Sequence, residues 1–181
     1  ALASIAMGTQ AGTFDDRERD WRNGAIVYQV LVDRFAPPAD LAAKRHLYPP
    51  PKVLRPWSAP ARRGTESAEL RLNTQELDFW GGDLQSLGTK LDYIQQLGAD
   101  VLYLNPIHLA YTNHKYDALD YRDLSPEFGT PADFRALADA VHGRGMKLVL
   151  DGVFNHMGRN APIFREAEAN PASPYRDWFV F

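Results

Sequence analysis

The sequence predicts an α/β fold built on parallel strands, and three observations carry that expectation. Short apolar runs at 25–32, 101–104 and 148–150 have no polar alternation, the pattern of strands buried on both faces. Between them lie stretches whose apolar residues recur at helical spacing. The order strand, excursion, helix, strand, helix, strand repeats a right-handed crossover, which places strands in parallel under covering helices. Each run also ends in polar residues: Asp33-Arg34-Phe35, Asn105-Pro106, and Asp151 through Asn155 and His156. The carboxyl ends of parallel strands are where such folds carry function. A strand that merely closes on turn-forming Asp and Asn is the plainer reading of the last of these.

Residues 1–24 read as a lead-in. Ala25 to Val32 is the first strand, β-branched and too apolar for a solvent face. The stretch 36–79 holds Pro37, Pro38, Pro49, Pro50, Pro51, Pro56 and Pro60 without sustained periodicity, so it reads as an irregular insertion with short elements at most. Asp83 is an N-cap for a helix carrying Leu84, Leu87, Leu91, Ile94 and Leu97, stopped by Gly98. Val101–Leu104 is the second strand. Ile107 to Ser125 reads as a long loop. Thr130, Pro131 and Asp133 then supply a cap, an N1 proline and an acidic N3 residue, and Phe134, Leu137 and Val141 an apolar face, with Gly143 and Gly145 at the end. The third strand follows. After His156 the chain turns polar and irregular, reaching the aromatic run at Trp178–Phe181 with nothing evident to pack it.

Composition narrows the function classes. The 181 residues are 45% hydrophobic and 24% charged, ordinary for a globular chain with a core. A net charge of −3 and a pI near 5.9 favour neither nucleic acid nor an anionic membrane as partner. There is no cysteine, so disulfides and thiolate metal sites are excluded. No apolar run approaches the roughly 20 residues of a membrane-spanning helix. The small, apolar opening Ala1–Gly8 fits either the remnant of a processed signal peptide, with a secreted or periplasmic location, or a cloning remnant. A nucleotide-binding fold would place a Gly-rich loop after the first strand; Asp33-Arg34-Phe35-Ala36-Pro37-Pro38 stands there instead.

The motifs, taken in order, resemble the α-amylase superfamily of glycoside hydrolases. They are Tyr28-Gln29 with Asp33-Arg34-Phe35, Trp80-Gly81-Gly82-Asp83-Leu84, Leu91-Asp92-Tyr93-Ile94 through Leu97-Gly98, and Tyr103-Leu104-Asn105-Pro106-Ile107. Asn113-His114-Lys115-Tyr116-Asp117 with Asp120-Tyr121, Phe128-Gly129-Thr130, and Asp151 through His156 complete the set. The form around Tyr116 and the segment Ser173–Phe179 most resemble the neopullulanase, cyclomaltodextrinase and maltodextrin glucosidase group. The resemblance implies the first part, about three β/α units, of a (β/α)8 barrel at 25–156. It also implies the start of a small inserted domain at 157–181. An eight-stranded barrel typically takes about 250 residues, so we expect the chain to be part of something longer.

The implied activity is retaining hydrolysis of α-1,4-glucans, whether starch, maltodextrin or cyclodextrin. An Asp nucleophile and a Glu acid/base, with a third Asp, would lie on later strands than these. The implied partners are the glucan and the remainder of the barrel. Tyr116 matches a tyrosine that stacks on glucose, as suits an aromatic face against pyranose C–H groups. His156 matches a hydroxyl-binding histidine, and His114 and Asp151 are placed as substrate-binding residues beside it. Asn155 and Asp117 are read as site-organising, and Lys115 with Asp117 as a local charge pair. Calcium is the one cofactor the resemblance raises, with Gly81, Asp83 and Asn155 as candidate ligands. Calcium takes several oxygen donors, and the stretch after Phe35 offers one carboxylate, Asp40, which argues against that site. A non-catalytic glycan-binding or interaction module on the same fold is the alternative.

Overall fold

A computed structural model describes residues 11–181; the opening Ala1–Gly8 lies outside the described residues. In chain order the elements are α1 (Ala11–Glu18), β1 (Val27–Val30), β2 (Val53–Leu54), β3 (Glu66–Ser67), β4 (Leu72–Asn73), β5 (Asp78–Phe79), α2 (Leu84–Gly88) and α3 (Leu91–Gln96). Then come β6 (Val101–Leu104), β7 (His108–Ala110), β8 (Ala118–Leu124), α4 (Pro131–Gly143), β9 (Lys147–Leu150) and α5 (Pro162–Ala169).

The predicted parallel sheet is present in the order β1-β6-β9, with Val27 opposite Val101 opposite Lys147 and Val30 opposite Leu104 opposite Leu150. Alternation along each strand divides the side chains between two faces. One row set, with Val30, Leu102 and Leu104, packs on Leu84, Leu87, Leu91 and Ile94 from α2 and α3 and on Leu137 and Val141 from α4. The rows Val27–Val101–Lys147 and Gln29–Tyr103–Val149 point the other way.

Burial on both faces does not hold for β1 and β9. Val27 is 54% exposed and Leu150 46% exposed. Helices α2, α3 and α4 pack on one side of the sheet, and β1 and β9 each have one unpaired edge among the described residues.

Local expectations fare unevenly. Thr130 caps α4 as read: Asp133 N donates to Thr130 Oγ1 at 3.3 Å, and Thr130 N donates back to Asp133 Oδ2 at 2.7 Å. The single helix expected from Leu84 to Leu97 is two, because Thr89 and Lys90 leave the helical path after Gly88 and Thr89 Oγ1 donates to the Ser86 carbonyl at 2.7 Å. Its apolar positions are right up to Ile94, but Leu97 is 50% exposed, since it lies past α3. The expected loop 107–125 is instead an antiparallel hairpin of β7 and β8. Its strands carry His108 and Asp120 to Asp123, which concealed the alternation. The irregular tail contains α5, and Phe164 on it packs with Phe179 and Phe181 at ring distances of 5.1 and 5.9 Å, so the terminal aromatics are partly covered.

The stretch 36–79 has short elements only, β3 paired with β4, and β2 paired in parallel with its last strand, β5. It returns to the sheet through Asp33, fully buried, whose carboxylate accepts from Trp80 N and Gly81 N at 3.0 Å.

Candidate active site

The open face of the sheet ends in polar residues, and the odd-numbered parity that turns Gln29 and Tyr103 away from the helices continues to Asn105 and Asp151. They form a connected chain. Gln29 Nε2 donates to Asn105 Oδ1 at 3.0 Å, Asn105 Nδ2 lies 3.4 Å from the Tyr116 hydroxyl, and that hydroxyl donates to Asp151 Oδ2 at 2.6 Å. Two of the three strand ends, through Asn105 and Asp151, thus meet the tyrosine delivered by the β7–β8 connection, and the third, through Gln29, steadies Asn105. The hydrogen bond to Asp151, with burial and the charge itself, raises the Tyr116 phenol to about 12. Burial and Asp151 likewise raise the Tyr103 hydroxyl.

His156 and His114 brace Tyr116 from two sides. His156 Nε2 donates to the Tyr116 carbonyl at 3.0 Å. Tyr116 N donates to His114 Nδ1 at 3.1 Å, which leaves the His114 proton on Nε2, facing Glu76 Oε2 at 3.1 Å. The two rings of His114 and Tyr116 lie 5.7 Å apart at 35°. Asp117 accepts from Tyr111 N at 3.1 Å, from Thr112 N at 3.2 Å and from the Thr112 hydroxyl, so it ties the turn that carries Tyr116. Asn155 is exposed on the loop after β9, beside Phe154, which is 87% exposed. The loop is held by the Tyr121 hydroxyl, which lies 2.5 Å from the Val153 carbonyl and 2.6 Å from that of His156.

Lys115 does not pair with Asp117. Its ammonium, fully buried, lies 3.2 Å from Glu127 Oε2 and over the rings of Phe79 and Phe128 at 5.2 Å each. Glu127 also accepts from Lys52 Nζ at 2.5 Å and from Ser125 Oγ at 2.5 Å. Spacing of two residues suggested Asp117, but Lys115 has φ +64, and this left-handed backbone points its side chain inward while Tyr116 and His114 stay at the surface. Burial alone would raise the Glu127 carboxyl; the two ammonium groups and the Ser125 hydroxyl outweigh it and hold it at about 2.

Of the calcium candidates, Gly81 and Asp83 turn their oxygens to an ammonium group, and Asn155 is exposed on the loop after β9. Gly81 O and Asp83 Oδ2 both accept from Lys44 Nζ, at 2.7 and 2.9 Å. Asp40 Oδ1 is used by the backbone N–H groups of Ala42 and Ala43. Among the described residues no three His, Asp or Glu side chains group as a metal site would need. The donor set does not fit a calcium ion.

Asn105, Glu76 and Glu127 were missed as site residues. Asn105 had a signal, since it stands one residue past its strand as Asp151 does. Glu76 had none: it reaches His114 from the irregular insertion, 38 residues upstream. Next to Asp151 an apolar hollow of about 420 Å³ is lined by Ile107, His108, Tyr121, Phe134, Leu150 and Phe154, but not by Tyr116, His114 or His156.

A tyrosine held over the carboxyl ends of parallel strands, with polar groups from each strand, defines the strand-end site of a parallel β/α barrel. The sequence profile of the alpha amylase catalytic domain matches residues 29–181, and the chain belongs to the alpha-amylase family. It is 40% identical over 172 residues to the intracellular maltogenic amylase of Bacillus subtilis (strain 168), covering 94% of this chain and 26% of that protein. It is 35% identical over 164 residues to neopullulanase 2 of Thermoactinomyces vulgaris, covering 88% of this chain and 24% of that protein. Among solved structures, the ligand-free cyclic alpha-maltosyl-(1→6)-maltose hydrolase of Arthrobacter globiformis superposes with a TM-score of 0.69 at 38% identity, over 89% of this chain and 32% of that one. The chain spans about a quarter of the length of these curated relatives.

Proposed function

We propose that this chain supplies the first part of the sugar site of a retaining glycoside hydrolase acting on α-1,4-glucans, with the bond-breaking carboxylates on later strands of the same barrel. The observation that carries the reading is the chain of hydrogen bonds at three adjacent strand ends, in which Asn105 and Asp151 meet the Tyr116 hydroxyl and Gln29 holds Asn105. Such an arrangement presents an aromatic face to a pyranose, with His156 and His114 beside it for hydroxyl groups. Asp151 is engaged by a tyrosine hydroxyl at 2.6 Å, which suits a positioning role better than that of a nucleophile. The names of the relatives, a maltogenic amylase and a neopullulanase, agree with an α-glucan substrate.

The remainder of the barrel is the partner that fits the uncovered surface. Ile26 and Val27 by β1, and Leu150 and Phe154 by β9, are 46 to 87% exposed at the two unpaired sheet edges. Further strands would cover those residues and use the free backbone groups.

Replacing Tyr116 by Ala in the full-length protein should lower kcat/KM on a maltooligosaccharide by roughly tenfold or more, about 1.4 kcal/mol of lost binding to the transition state. An unchanged value would sink the stacking role. The 181 residues alone should release no reducing sugar from maltodextrin. A full-length protein that binds the glucan without cleaving it would identify the alternative, a glycan-binding module.

A further inference from the structure

The turn Gly81–Gly82–Asp83 is held from both sides. On the inner side Asp33 takes Trp80 N and Gly81 N through its carboxylate, and Gly82 N donates to the Asp33 carbonyl at 2.9 Å. On the outer side Lys44 comes from a 3₁₀ turn, Ala43–Leu47, and its Nζ donates to Gly81 O at 2.7 Å and Asp83 Oδ2 at 2.9 Å. The pair is largely removed from water, with side-chain exposures of 13% for Lys44 and 15% for Asp83.

Two oxygens that converge on one point, one a carboxylate and one a carbonyl, are half of a divalent-cation site. Here their shared cation is covalently attached. Calcium requires 6–8 oxygen ligands at roughly 2.3–2.6 Å, and a metal at this point would meet the ammonium head-on. The remaining Asp83 oxygen, Oδ1, is already used by Ser86 N at 2.8 Å to cap α2. Asp40, the carboxylate of the preceding stretch, starts the turn that delivers Lys44. Gly81 itself is at φ +81, so the backbone carbonyl is presented by a left-handed conformation that favours glycine.

We propose that the Lys44 ammonium is the resident cation of the Gly81–Asp83 turn, closing it and fixing the start of α2 without a divalent metal. One group then does two things. It satisfies the carboxylate and carbonyl, and it fastens the irregular insertion to the first helix behind β1. The proposal stands independently of the sugar-site reading.

Hydrogen exchange of the full-length protein, followed in a peptide covering 80–88, tests it. In the wild type, exchange of this segment relative to the rest of the protein should be the same in millimolar calcium and in chelator. Lys44→Met keeps most of the aliphatic stem and removes the charge, and should speed exchange of this segment by about tenfold, equivalent to about 1.4 kcal/mol of local opening. Selective slowing of this segment by calcium in the wild type would show that a metal enters beside Lys44, and would overturn the proposal. Wild-type exchange in Lys44→Met would overturn it as well. Should Lys44→Met not fold, Lys44→Gln, which keeps a neutral donor, should show a smaller acceleration, and the calcium arm needs no variant.

Discussion

The two faces of the β1-β6-β9 sheet contrast sharply. On the helix-covered face, Val30, Leu102 and Leu104 are 0–2% exposed and make no polar contact through their side chains. On the open face, Gln29, Asn105 and Asp151 are linked by hydrogen bonds that run across strands rather than into a core. The same backbone ladder serves both. The first face is specified by area removed from water, which tolerates exchanges of similar volume; the second by directional partners, which do not. The covered core and the polar strand-end network are therefore carried by alternate residues of one strand, and the two can be perturbed separately.

The largest effect should come from the covered face. Leu104→Ala leaves a cavity under α2 and α4 and should cost about 2–5 kcal/mol in urea unfolding of the full-length protein. A loss under about 1 kcal/mol would mean that the helices do not pack on the sheet as described. Next comes Lys115→Met, beneath the Tyr116 loop. Glu127 keeps Lys52 and Ser125 but loses one of the two ammonium groups that offset its burial, so a loss of roughly 1–3 kcal/mol is expected, short of a fully broken buried pair. The acid side gives a second readout. The folded Glu127 carboxyl lies at about 2 against an ordinary 4.5, so its contribution is complete above about pH 4.5 and is lost as pH falls toward about 2. In Lys115→Met the acid unfolding midpoint should move up.

Tyr116→Phe removes the hydrogen bond to Asp151 and leaves the ring. It should cost about 1 kcal/mol or less in stability while changing kcat/KM less than Tyr116→Ala. The same hydroxyl sets an alkaline limit: with its folded value near 12 and an ordinary value of 10, its contribution is complete below about pH 10 and disappears as pH rises toward about 12. Ultraviolet titration of wild type against Tyr116→Phe isolates that step. The smallest effect belongs to the surface. Arg122 is 89% exposed beside Asp120, and Arg122→Ala should leave the melting temperature within about one degree. A larger shift would give the hairpin's outer edge a role that its exposure does not suggest.

Legibility in the sequence followed the same division. The apolar stripes on α2, α3 and α4 and the cap at Thr130 were readable because period and capping are local. So were Tyr116, His114, His156, Asp117 and Asp151, whose short motifs keep them in order. The break between α2 and α3 was harder, since Leu84, Leu87, Leu91 and Ile94 stay on one face whether or not the helix is continuous. The hairpin reads as a loop in the sequence because its charged outer residues mask strand alternation.

The sequence by itself determined the parallel α/β class, the order of the three sheet strands with the helices between them, and the family, because each rests on spacing within about twenty residues or on motifs in series. Only the tertiary structure decided which partners close the site. Glu76 meets His114, Glu127 takes Lys115 from Asp117, and Lys44 occupies the oxygens that a metal would have needed. Each of these contacts joins segments at least twelve residues apart in the chain. A charge in a sequence states what it can pair with; packing and desolvation determine which partner is within reach.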